Sequence, residues 1–290
     1  MNTRKGGFAG LIGLLGAHLG LAAASMFALF PVVWVVAMAL DKGSEAHPTS
    51  LRLWPAQPSL DAFRQVLAHP TEIEGIRFAD LALNSLLLAG GTAVACIALG
   101  ACAAYAFSRF DFPGRRAGLV GFMVLQLFPP VASMAPLFVL LSALHLRTSL
   151  VGLALAYASG TLPFAIWNLK GTFDTVPREL EEAAVMDGCG PLRTFLQVVL
   201  PLAAPGLAVT TLFGFMAGWT EIVMAWTFLE DPRTFTLSMA LYNMVGQYGT
   251  TRPWSEFAAL SLLLSLPVVV TMLLLQRFIV SGLTAGSVKG

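Results

Sequence analysis

Long apolar runs alternate with shorter polar stretches along this chain. Six runs are long enough to cross a bilayer, which needs about 20 residues at a helical rise of about 1.5 Å each. They lie at Leu15–Leu40, Leu81–Phe107, Leu119–Leu144, Leu150–Leu169, Gly206–Phe228 and Phe257–Gln276. The pattern predicts an all-α membrane protein with six transmembrane helices. A segment over 1–14 precedes a transmembrane body over 15–276, and a tail follows over 277–290. Residues 41–80 and 230–256 read as loops on one side of the membrane. Residues 170–205 read as an amphipathic helical loop on the other.

The second run is rich in small residues, among them Gly90, Gly91, Ala93, Gly100, Ala101 and Ala104. In lipid, helices associate by close packing rather than by hydrophobic exclusion, so this helix is expected inside a bundle. Pro129, Pro130 and Pro136 interrupt the third run and Pro267 the sixth. Such breaks free carbonyls that must face protein or a water-filled cavity. They fit either a kinked helix lining a path or a kink that suits its neighbours.

Composition supports the membrane reading. Of 290 residues, 57% are hydrophobic and 11% charged, with a mean hydropathy of +0.76. Soluble domains carry about 25% charged residues. A net charge of +1 gives no reason to expect nucleic-acid binding. The first apolar run is about twice the length of a signal-peptide core, and Arg4 and Lys5 lie far upstream of it, so it reads as a retained span. The cluster Arg109, Arg115 and Arg116 in one short loop places that loop, and both termini, in the cytoplasm. Cys96, Cys102 and Cys189 form no CxxC, and the four histidines form no HExxH, so no metal site is expected. There is no GxxxxGK[ST] loop and no nucleophile–base set, so no catalytic residue and no bound cofactor are expected.

The 170–205 loop carries the most specific signal. Thr175 is expected to cap a helix whose first turn holds Pro177 and Glu179. Ala183 and Ala184 keep one face flat for the close approach of another protein. Gly188 and Gly190 end the helix in left-handed conformations. Pro191 starts a second helix with Leu192, Phe195, Leu196 and Val199 at helical spacing, closed by Leu200-Pro201. The expectation is a helix–turn–helix lying across the inner membrane face, with an apolar surface for a partner.

These residues resemble a family. Glu182-Ala183-Ala184, then Gly188, Val198 and Leu200-Pro201 at their spacing, is similar to the EAA loop of ABC-importer permeases. Asn84-Ser85, the stretch Ala103–Gly114 and the tail Gly282–Gly290 extend the likeness, which is greatest to MalG-type subunits of maltose/maltodextrin importers. The resemblance implies a type I ABC importer permease fold in the bacterial inner membrane, with the loop as a cytoplasmic coupling helix. Glu182, Ala183, Ala184, Asp187, Gly188, Leu200 and Pro201 would dock on an ATPase subunit. Gly282, Leu283, Thr284, Ala285, Gly286 and Lys289 would reach between two ATPase subunits as an extended chain. Partners would be a second, MalF-type permease, a MalK-type ATPase dimer carrying ATP and Mg, and a periplasmic sugar-binding protein. Related permeases for other oligosaccharides, trehalose or glycerol phosphate share these features.

Glu221 is the one acid inside a predicted span, where a charge at mid-helix costs about 2.5–3.5 kcal/mol. It is expected to border the translocation path or outer gate, or to hydrogen-bond a neighbouring helix. The resemblance implies that the outer loop from Tyr242 to Trp254 enters the binding protein's cleft, with Asn243, Gln247 and Tyr248 as polar and aromatic contacts; residues alone also fit an ordinary exposed loop. An ion-coupled secondary transporter would need ion-binding groups at the midplane, and only Glu221 is available. An intramembrane hydrolase would need a Ser–His pair within spans, and only His18 lies in one.

Overall fold

The computed structural model describes residues 7–42, 51–245 and 253–287, with side chains over 13–42, 51–245 and 253–279. Among the described residues there is no strand, only an isolated bridge between Asp41 and Pro58. The chain divides into two compact units, Met1–His69 with Met244–Leu263, and Pro70–Asn243 with Leu264–Gly290.

The first unit contains α1 (Gly7–Ala39) and α2 (Asp61–Ala68). Only 6% of the apolar α1 window is buried within the chain, as expected of a helix solvated by lipid. The polar segment after it folds back on its end. The Asp41 carboxylate accepts from the Ala56 and Gln57 amides, and Ser59 N–H donates to Leu40 O at 2.8 Å.

The second unit is built on three packed helices, α3 (Phe78–Arg109), α6 (Leu150–Thr175) and α10 (Ala204–Thr220). Ala93, Gly100, Ala101 and Ala104 of α3 are buried, as the sequence predicts, whereas Gly90 meets no neighbour. A Cβ built on Gly100 would sit 3.1 Å from Ala165 Cβ of α6. One on Gly218 of α10 would sit 2.8 Å from Ala89 Cα of α3. Polar side chains tie the same helices: Asn168 Nδ2 donates to Gly206 O at 2.8 Å and to Thr210 Oγ1 at 3.0 Å. At one end of α10, the buried Trp219 donates from Nε1 to Leu264 O at 2.9 Å.

The third predicted span is two helices, α4 (Arg115–Leu125) and α5 (Met134–Ala143), bent by 104°. Pro129 and Pro130 cause the bend. A residue before proline is pushed out of the α region, and Pro129 has ψ 127°. The fifth predicted span is also corrected. It is not continuous to Phe228: α10 stops at Thr220, Glu221 is extended (ψ 137°), and a separate α11 (Val223–Phe228) follows. In the expected 230–256 loop, α12 (Leu237–Val245) contains Tyr242 and Asn243, which are therefore helical rather than in a loop. The last helix, α13 (Trp254–Ser287), runs unbroken through Pro267, with Trp254 as its first residue. It extends into the predicted tail, so Gly282, Leu283, Thr284, Ala285 and Gly286 are helical and not extended. Gln247, Tyr248 and Lys289 lie outside the described residues.

Candidate docking elbow

Between α6 and α10 the chain makes the predicted elbow. α6 runs on to Thr175, whose hydroxyl donates back to Thr172 O, so Thr175 ends one helix instead of capping the next. Pro177 occupies the cap, and α7 (Arg178–Met186) begins with Glu179 and Glu181 in its first turn, where the helix dipole favours acids. Gly188 stops α7 at φ +83°. Cys189 N–H donates to Ala184 O at 2.9 Å and Gly188 N–H to Val185 O at 2.9 Å, the paired bonds of a Schellman stop. Gly190 is not left-handed; its φ is −71° and it leads into α8 (Pro191–Thr194). A Gly188→Ala change is expected to cost about 1 kcal/mol, because a Cβ disfavours this backbone conformation. Thermal unfolding of the purified protein measures it, and Gly190→Ala serves as the unstrained control.

The second arm continues from α8 through a π-turn at Phe195–Val199, closed by Leu200 N–H to Phe195 O, into α9 (Leu200–Leu202). Together 191–202 meet α10 at 82°. Phe195 and Val199 are buried, while Leu192 and Leu196 are 69% and 50% exposed. The exposed pair lines a groove of about 430 Å³ with Pro191, Arg193 and Gln197.

The elbow is fastened to the ends of α3 and α6 by a buried polar cluster. Arg109 Nε donates to Glu181 Oε1 at 2.6 Å, with the side chains 9% and 14% exposed. Tyr105 OH donates to Glu181 Oε2 at 2.7 Å, and Arg109 Nη2 donates to Val176 O at 2.9 Å. Ser108 Oγ donates to Asp174 Oδ1 at 2.6 Å, and Lys170 pairs with the other carboxylate oxygen at 2.5 Å. Phe195 packs against the Tyr105 ring at 4.7 Å between centroids.

Of the residues that the sequence singles out here, Glu182, Ala183, Asp187 and Gly188 are exposed. Ala184 is buried, so the two alanines do not share one exposed face. Leu200 is half-buried and Pro201 exposed. Glu181, next to the glutamate that the motif highlights, holds the elbow on the bundle. Its partners arrive from 76 and 72 residues away, and no local pattern announces them.

Glu221 sits in the break between α10 and α11. Its carboxylate accepts from Val223 N–H at 2.8 Å, from Met224 N–H at 3.1 Å and from the Tyr157 hydroxyl of α6. From the position before the N-cap Ile222 it therefore satisfies the first two amides of α11 and bonds a neighbouring helix, which relieves the mid-helix cost expected of it. Glu221→Ala leaves those donors without their partner and is expected to destabilise this end by about 1–2 kcal/mol. A drop in the melting temperature of the purified protein is the readout; an unchanged melt contradicts the capping role. At the same end of the bundle, Asn84 Nδ2 donates to Arg233 O and Phe235 O, and Ser85 Oγ accepts from Leu237 N–H. Tyr242 and Asn243 are exposed.

A bundle of this kind, with a right-angled elbow fastened to it, is the type I permease fold of ABC importers. The fold matches a bacterial ABC transporter involved in import of the acidic polysaccharide alginate, with a TM-score of 0.75 at 22% identity, over 96% of this chain and 98% of that one. Residues 96–284 match the family of binding-protein-dependent transport system inner membrane components, and the chain belongs to that family. It is 35% identical to the maltose/maltodextrin transport system permease protein MalG of Salmonella typhimurium, over 96% of each chain. It is 34% identical to the galactooligosaccharides transport system permease protein GanQ of Bacillus subtilis, over 96% of each. Against the trehalose transport system permease protein SugB of Mycobacterium tuberculosis it is 33% identical over 91% of this chain and 93% of that one. The chain is thus a multi-pass inner-membrane permease subunit, which translocates a substrate without catalysing a reaction itself.

Proposed function

We propose that this subunit imports a neutral oligosaccharide, with maltose or maltodextrin as the first substrate to test, and that the elbow couples it to ATP hydrolysed elsewhere. The observation that carries the coupling is the elbow itself: an exposed surface of Glu182, Ala183, Asp187, Leu192 and Leu196 held on the bundle by the Arg109–Glu181 pair. The sugar class rests on relatives whose names specify maltose/maltodextrin, galactooligosaccharides and trehalose. Glycerol phosphate is the remaining alternative cargo.

In this reading the elbow and both termini face the cytoplasm. The elbow docks on one subunit of a MalK-type ATPase dimer, which holds ATP and Mg, and a second, MalF-type permease completes the channel. The end of α13 extends toward the ATPase pair. A periplasmic binding protein delivers the sugar on the opposite side, with Tyr242 and Asn243 of α12 and Trp254 of α13 as its contacts, while Glu221 borders the outer gate. Copurification tests the docking: Glu182→Lys on the exposed elbow is expected to release the ATPase subunit while the chain remains folded. Uptake of a panel of sugars by proteoliposomes holding the whole complex and its binding protein tests the cargo. Accumulation by this chain alone, without ATP, would contradict the reading and favour an ion-coupled carrier.

A further inference from the structure

A groove on the bundle has a chemistry that the elbow and Glu221 do not use. It lies where the end of α4 meets the middle of α6 and the second half of α10, and is wide open, with a volume of about 400 Å³. That is within the range of about 300–1,000 Å³ found for small-molecule sites. Thr161 lies 11 residues into α6 and 14 from its end, about 16 and 21 Å along the axis, so the groove falls near mid-membrane depth. Polar groups at that depth are costly and mark paths for solutes.

The lining combines three features. The first is an aromatic pair, Phe164 and Phe213, with centroids 4.7 Å apart. The second is two hydroxyls, Thr161 and Thr220, each donating its proton to its own helix, to Tyr157 O at 3.0 Å and Met216 O at 2.9 Å. Thr161 also hydrogen-bonds the buried Cys96 side chain and keeps one lone pair for the groove, while Thr220 keeps its acceptor oxygen for it. The third is Gln126, at the 104° bend. The positions three and four residues after it are Pro129 and Pro130, which have no N–H, so no helical partner exists for its carbonyl. Its side-chain amide makes no hydrogen bond among the described residues. Among the described residues, no charged one lines the groove.

We propose that this groove is a contact surface for the translocated solute on this chain, and that it selects an uncharged polyol ring system. Acceptor oxygens meet hydroxyl donors, the aromatic faces meet the apolar faces of a sugar ring, and the absence of a cation disfavours phosphorylated or acidic cargo. This inference rests on the sugar-import reading above and narrows it, setting glycerol phosphate aside.

The test uses the complete complex in proteoliposomes, with ATP inside on the ATPase side, binding protein on the other, and maltose, trehalose and glycerol phosphate as solutes. Gln126→Ala and Thr161→Val are expected to lower uptake of the preferred neutral sugar about tenfold, the effect of one lost hydrogen bond. ATP hydrolysis stimulated by the binding protein should persist, because the elbow is untouched, and Thr161→Ser should restore uptake. Variants that import as wild type does would overturn the groove while leaving sugar import standing. Loss of stimulated hydrolysis together with uptake, unrelieved by Thr161→Ser, would also overturn it, since the residues would then be structural. A wild-type complex that imports glycerol phosphate and neither sugar would sink both readings.

Discussion

Replacing Arg109 with Ala is expected to loosen the elbow from the bundle at a cost of about 3 kcal/mol, the low end of the range for breaking a buried ion pair. The change leaves Glu181, only 14% exposed, without its cation, and removes the donor to Val176 O at the turn into α7. Hydrogen exchange is the measurement: amides over 178–200 should exchange faster, while those of α3 and α10 near Gly214 keep their protection. On the docking proposed above, the same variant in the assembled transporter should uncouple ATP hydrolysis from uptake, since a loose elbow would move without carrying the helices. The double change Arg109→Leu with Glu181→Leu should recover much of the lost protection, because it removes both charges together. Unchanged exchange over 178–200 in Arg109→Ala would show that the ion pair does not fasten the elbow.

The second large effect is expected at Gly218. A methyl group there meets Ala89 Cα at 2.8 Å, Thr92 Oγ1 at 2.8 Å and Leu88 O at 3.0 Å. Two of those atoms are backbone, so α10 and α3 must separate. Overpacking of this kind costs about 1–3 kcal/mol for Ala, and Gly218→Leu should prevent folding of the bundle. Gly171→Ala provides the contrast. It lies inside α6 with nothing within 4 Å of the new Cβ, and Ala is favoured over Gly in a helix by about 1 kcal/mol. Thermal denaturation should therefore move in opposite directions for the two variants. A Gly218→Ala protein that melts with wild type would mean that the two helices do not depend on this contact.

The spans were legible because apolar runs of bilayer length have few other uses, and the small-residue content of α3 announced its central place. The bend at Pro129-Pro130 was legible as a break, but its 104° angle depends on what α4 and α5 pack against. The break at Glu221 was not, because a glutamate inside an apolar run is compatible with an intact helix. Only the fold shows that its carboxylate captures the Val223 and Met224 amides and so stops α10. In the elbow, the Gly188 stop follows from local backbone chemistry, and its φ is +83°. The inward role of Glu181 depends on Arg109 and Tyr105 from a distant helix, and Ala184, three residues on along α7, is buried as well. Sequence spacing therefore pointed at Glu182 and treated both alanines alike. The glycines over 282–287 suggest an extended tail, whereas α13 simply continues through them.

The π-turn at Phe195–Val199 has a geometric consequence. It inserts one residue beyond the pitch of an α-helix, and each residue rotates a helix by about 100°. The azimuth of Leu192 and Leu196 relative to Leu200-Pro201 is therefore fixed by a single unit of chain length. Deleting one residue there would leave the composition almost unaltered, yet would swing the apolar stripe by more than a quarter-turn, away from the side it now presents.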